Sequence, residues 1–244
     1  MRAYKIIFRL DYPTTFGMLD ILGDTAGFLE KETREAPFAN ATINVNPVEH
    51  LITCTAHLPS PDAADDGFRL MHNVKTLSAV IEHQKGLELS ELHEHPAIIL
   101  TDKLIEHLDF ADVSRFERLG IRVWILETLR FKAIRDSMVS KLDTLNSALM
   151  KSFASAEDVG VVFESVNKEG SSVRVIMGPY QKTETAKYFG LENSVQEGLI
   201  LDIDMWQTKV EIPKFRLSRQ AAYFEAAFQK LAGDLVSSLT EEPR

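Results

Sequence analysis

Twice along this chain an alternating, extended segment gives way to an amphipathic helix and then to further strand-like runs. That recurrence limits the fold more than any single motif. The first segment, "AYKIIFRLDY" (3–12), sets Ile6, Phe8 and Leu10 against Lys5, Arg9 and Asp11, with Ile7 breaking the pattern. Pro13 and Thr14 then open a helix in which Phe16, Leu19, Leu22, Ala26 and Leu29 recur at helical spacing, weakened by Gly17, Gly23 and Gly27. Two strand-like runs follow, "NATINVNP" and "HLITCTAHLP", joined through Pro47, and "PSPDAADDG" (59–67) reads as a polar loop. Over 68–90 short strands are preferred, with Gly86 turning the chain, against a helix over 74–83. "TDKLIEHL" (101–108) predicts a helix capped by Thr101, and "FADVSRFERL" (110–119) extends the helical pattern.

The second start is stronger. "LGIRVWILETLRF" (119–131) is the clearest strand in the sequence. Behind it, Ile134, Met138, Leu142, Leu145, Leu149 and Phe153 form one helical stripe. "DVGVVFESV" and "SSVRVIMGPY" flank "NKEG" as a hairpin with Gly170 at its turn. "GLILDIDMWQTKVEI" is a further strand, ended by Pro213. Ser218 caps a last helix striped by Ala221, Phe224, Phe228, Leu231 and Leu235. This order predicts an α+β protein of two related halves, each an antiparallel sheet backed by helices in a ferredoxin-like manner. The halves divide near 110–120, as 1–118 and 119–244. No Gly/Ser linker separates them, so they should pack closely, and one continuous sheet would achieve this.

Composition removes several functions. The longest apolar runs fall well short of the roughly 20 residues that span a bilayer, and the N-terminal segment lacks the long apolar region of a signal peptide. A single cysteine, Cys54, precludes an intramolecular disulfide and fits a reducing, cytoplasmic compartment; within "HLITCTAHL" it reads as a small buried filler and not a nucleophile. The net charge of −9 is uneven: 11 basic against 19 acidic residues over 1–120, and 16 against 17 thereafter. An acidic chain is a poor general ligand for phosphate backbones, which disfavours nucleic acid.

Three groups of residues could carry chemistry. Asp202 and Asp204, two apart on one strand face, could share a divalent cation, with Asp11 the one third carboxylate to nominate; the competing reading makes them the wet face of a half-buried strand. His93 and His95, in "SELHEHP", present two imidazoles at a spacing of two, the weak beginning of a transition-metal site against the plainer reading of loop histidines. Arg115, Arg118, Arg122 and Arg130, with Lys132 and Arg135, could hold an anion or an acidic partner, or could pair with the protein's own excess of carboxylates. Gly-rich phosphate loops, the nucleophile-elbow and Walker patterns, H-E-x-x-H and paired C-x-x-C are absent, and no cofactor is implied.

"RFERLGIRVWILE", "LILDIDMWQTKV" and "AAYFEAAFQKLAGDLVSSL", with "IIFRLDY" at the start, resemble a sporadically distributed family of uncharacterised prokaryotic proteins. That family has an R-x-G-L-R-Y-like central strand, a late L-D-x-D strand and a phenylalanine-striped terminal helix; Ile121 and Val123 replace its more usual leucine and aromatic residue here. The resemblance implies no activity, and its scattered distribution implies mobile or antiviral-defence genes. The combined expectation is a non-catalytic binding or assembly module for a protein partner or for a second copy of itself. The alternatives are a metal-dependent phosphoryl-transfer or nuclease-type enzyme using Asp202 and Asp204, and an RNA-binding protein of tandem ferredoxin-like domains.

Overall fold

The computed structural model describes residues 1–15, 17–34, 37–58, 66–108, 113, 115–142, 159–166, 171–184, 197–211 and 217–240. The chain runs β1 (Arg2–Asp11), α1 (Gly17–Glu32), β2 (Ala39–Asn46), β3 (Leu51–Leu58), β4 (Asp66–Asn73) and β5 (Thr76–Glu88). A 3-10 turn (Leu89–Glu94) and α2 (Pro96–Leu108) lead to β6 (Arg115–Thr128) and α3 (Phe131–Lys141). Then come β7 (Val161–Val166), β8 (Ser172–Tyr180), β9 (Gly198–Glu211) and α4 (Leu217–Thr240). The nine strands form one sheet in the order β2-β3-β4-β5-β1-β6-β9-β8-β7, with every neighbouring pair antiparallel.

The two strongest alternating segments therefore meet at the middle, β1 against β6, with Ile7 opposite Arg122 and Phe8 opposite Ile121. One parity of each central strand is apolar and buried: Ile6, Phe8 and Leu10 on β1, Leu119, Ile121, Val123 and Ile125 on β6, Leu199, Leu201 and Ile203 on β9. These side chains share one core with Leu22 and Leu29 of α1, Leu104 of α2, Ile134 and Met138 of α3, and Phe224 and Phe228 of α4. These helices thus all lie on one face, and none of them covers the other parity of the sheet, which is the helix-free face among the described residues. None of these helices is long and apolar enough to cross a membrane.

Several details differ from the sequence reading. The stretch from 68 is strand through β4 and β5 up to Glu88, as preferred, but Gly86 does not turn the chain; it sits at φ +76° in a bulge of β5, where a Cβ would come 2.7 Å from that of Arg2. On the other side of β1, Tyr4 is the extra residue, lying between pairs Ala3–Ile125 and Lys5–Trp124. Its insertion switches the buried parity from Ala3 to Ile6 and explains why Ile7 breaks the alternation: it belongs to the helix-free face. Thr101 does not cap α2, which begins at Pro96; its hydroxyl instead donates to the carbonyl of Ala97, 2.7 Å away inside the helix. The helical reading of 110–119 fails from Arg115 onward, where β6 begins, so the expected 118/119 boundary falls inside a strand. Pairing with β1 and β9 overrides the local helical period there. Ser218 lies within α4. Leu145, Leu149, Phe153, Gly170 and Pro213 lie outside the described residues.

Candidate functional site

The helix-free face is built by alternation. On β6 the outward parity reads Arg118, Gly120, Arg122, Trp124, and on the adjoining β9 it reads Asp202, Asp204, Trp206. In register, Trp124 faces Asp202, Arg122 faces Asp204 and Gly120 faces Trp206. Each arginine then reaches along β9 to an aspartate. Arg122 forks onto Asp202, Nε to Oδ1 at 2.7 Å and Nη2 to Oδ2 at 2.5 Å. Arg118 donates to Asp204 Oδ2 at 2.8 Å. Gly120 makes the second reach feasible: a Cβ there would stand 3.2 Å from Trp206 Cβ and 3.4 Å from Arg118 Nε. In that space the Arg118 guanidinium lies over the Trp206 ring, 4.8 Å from its centre. Arg122 and Lys5 approach the Trp124 ring in the same way, at 5.4 and 4.8 Å.

Asp202 and Asp204 do share a face, but that face is not simply wet. Asp202 is only 2 % exposed, its charge held by a bidentate guanidinium. Asp11 does not join them. It stands in the cross-strand row of Arg118 and Thr208, four residues along β9 from Asp204, and accepts from Arg9 at 2.8 Å and Thr76 at 3.1 Å. Among the described residues no three His, Cys, Asp or Glu side chains converge as a metal site would require.

Lys5 pairs with Glu82 at 2.6 Å and Arg174 with Glu164 at 3.4 Å, so the array extends across the sheet. At one end Leu126 and Ile200 form a second small apolar cluster with Tyr4 and Tyr180. Towards β3 and β4, a hollow of about 370 Å³ opens between Lys5, Ile7, Thr55, His57, Arg69 and Val80.

The remaining basic candidates do not converge on this array. Arg115 lies 3.7 Å from Glu117, Arg130 is exposed just before α3, Lys132 is exposed, and Arg135 pairs with neighbouring Asp136.

The two histidines of H-E-H part company. His93 Nδ1 meets Glu225 of α4 at 2.9 Å, and that hydrogen bond holds its pKa above the usual value. His95 is buried, its ring edge-on to His83 at 5.0 Å, and its Nδ1 accepts from the Ala97 backbone N–H. Burial, with a smaller contribution from His83, pushes His95 down to about 3, so it is neutral at pH 7. Cys54 is fully buried, and burial pushes its thiol up to about 11, which leaves no thiolate for nucleophilic chemistry at neutral pH.

Trp124 and Lys5 were not singled out from the sequence. Their signal was present as the i, i+2 series Arg-Gly-Arg-Trp in "RLGIRVW" beside Asp-Asp-Trp in "DIDMW", two complementary rows once the strands are known to be neighbours.

No family model matches this chain, and no curated protein matches it. Among solved structures it is similar to the di-domain ARO/CYC BexL from the BE-7585A biosynthetic pathway, at 9% identity and a TM-score of 0.25 over 100% of both chains. It is also similar to the di-domain ARO/CYC StfQ from the steffimycin biosynthetic pathway, at 7% identity and a TM-score of 0.16 over 96% of this chain and 95% of that one. Scores this low carry no argument about fold or activity.

Proposed function

We propose that this protein is a non-catalytic binding module that docks a protein partner on the helix-free face of its sheet. The observation that carries the reading is the placement of both tryptophans of the chain on that face, each beneath a guanidinium, amid charges of both signs. Trp and Arg are the side chains most enriched at the energetic centres of protein interfaces. Lys5, Arg9, Arg69, Arg118, Arg122 and Arg174 share the described face with Asp11, Glu82, Glu164, Asp202 and Asp204, so it is nearly balanced in charge. A polyanion is bound by unmatched cations, and a balanced array favours a protein surface over RNA. A phosphoryl-transfer site needs carboxylates available to metal, and here both are engaged by arginine.

We further propose that the chain consists of two related halves, each opening strand–helix–strand in a ferredoxin-like manner, a reading supported by β1–α1–β2 and β6–α3–β7 and by the antiparallel pairing. A cytoplasmic setting and a role in prokaryotic defence follow from the single cysteine and the family resemblance. The test is photo-crosslinking in the native host, with a photoreactive residue at Ile7 on the open face and, separately, at exposed Asp24 on α1. A discrete polypeptide adduct from position 7, absent from position 24 and lost in Arg118→Glu, is the expected result. Adducts from position 24 alone, or a position-7 adduct that is nucleic acid, would overturn the proposal.

A further inference from the structure

The two edges of the sheet are not guarded alike. At one end β2 is polar ("ANATINVN"), its register is broken between Ala39 and Thr42, and Asn40 takes φ +52°. A bulge of this kind blunts an edge against pairing. At the other end β7 pairs with β8 without interruption from Val161 to Val166 and has no strand on its outer side among the described residues. It contains no Pro, Gly or Lys, and its one charge, Glu164, is met by Arg174. Its apolar side chains stand in solvent: Val162 is 56 % exposed, Phe163 49 % and Val166 67 %. An edge with open backbone donors and acceptors and an apolar surface is a template for another strand.

We infer that β7 is a self-association edge, pairing antiparallel with β7 of a second copy to give one sheet across two molecules. The sequence of the strand selects the copy and the register. A two-fold axis perpendicular to the sheet keeps each side chain on its own face, so only residues of the same parity can oppose each other. Centred on Phe163, the axis sets Phe163 against its counterpart, Val161 against Ser165 and Val162 against Glu164, whose charge its own Arg174 already meets. Aromatic pairs are among the stronger cross-strand contacts. Centred on Glu164, the axis would oppose two like charges, which is unfavourable. The strand is thus self-complementary in the Phe163-centred register, with matching contacts supplied by identical chains. This inference rests on the edge and is independent of the partner assigned to the open face.

Two experiments on the full chain decide it. Sedimentation from 1 to 200 μM should show a concentration-dependent monomer–dimer equilibrium that Phe163→Glu abolishes and Val45→Glu, on the β2 edge, leaves in place. Circular dichroism checks that both variants are folded. Phe163→Cys should also form a covalent dimer on mild oxidation, because cross-strand counterparts approach within reach of a disulfide, whereas Val166→Cys should not. Buried Cys54 can remain in place. A monomer at every concentration, a dimer surviving Phe163→Glu, or equal crosslinking from position 166 would overturn the inference.

Discussion

Replacing Asp202 with Asn keeps the shape of the side chain and removes its charge, so it weighs the Arg122–Asp202 fork directly. The carboxylate is 2 % exposed and accepts two guanidinium hydrogen bonds, whereas Arg122 remains about one-third open to water. A hydrogen bond to a charged group contributes about 1.5–3 kcal/mol, and water can re-solvate the outer part of Arg122 once its counter-ion is gone. The expected loss is about 2–3 kcal/mol. Asp204→Asn should cost only about 0.5 kcal/mol, since both partners of that single contact are part-exposed. Urea unfolding of the parent, Asp202→Asn, Arg122→Met and the double variant gives the coupling by a thermodynamic cycle. It should be about 1.5–3 kcal/mol here and below about 1 kcal/mol for Arg118 with Asp204. An Asp202→Asn variant within 0.5 kcal/mol of the parent would refute the reasoning. A variant clearly more stable than the parent would point instead to a strained pair of the kind active sites hold.

Phe228→Ala should cost about 3–5 kcal/mol, because the ring is fully buried beneath α4 against Phe224; a melting temperature equal to the parent's would put the helix in the wrong register. Gly198→Ala should lower stability more than Gly27→Ala, since a Cβ at 198 would stand 2.2 Å from the Glu127 carbonyl oxygen while one at 27 meets nothing within 4 Å; denaturant midpoints compare the two. His72 and His95 are held by burial at about 4 and about 3, below their unfolded value, so their stabilising contribution is complete above about pH 6.5 and is lost as pH falls. Together they should remove about 3 kcal/mol between pH 6.5 and 5. Half-buried His93, shifted upward, opposes this weakly. In His72→Gln about half of that fall should vanish, and an unchanged pH profile would refute the assignment.

Much of the fold was legible because it depends on short-range periodicity. The Ile6–Phe8–Leu10 alternation and the Ala221–Phe224–Phe228 stripe each define a buried face without reference to partners. What failed depended on those partners. Thr101 is a good cap in isolation, but α2 begins earlier at Pro96, where burial of Ala97, Ile98 and Leu100 outweighs the preference for a later start. "RFERL" (115–119) continues a helical period, but as the start of β6 its backbone is taken up by β9. At the site, parity alone put Asp202, Asp204 and Trp206 on one face. That Asp202 is nearly sealed under Arg122 could not be read from alternation, because it follows from β6 lying beside β9.

The chain's two tryptophans both lie on the helix-free face, so with 7-azatryptophan incorporated in this chain alone, their emission reports occupancy of that face apart from any tryptophan of the partner. The most direct measurement is therefore acrylamide quenching of the native complex, isolated without disruption, against the same protein stripped of its partner. Docking on the open face predicts a marked fall in the quenching constant in the complex, with that of the Trp206→Phe variant falling likewise through Trp124. Identical quenching in the complex and the free protein would contradict the account.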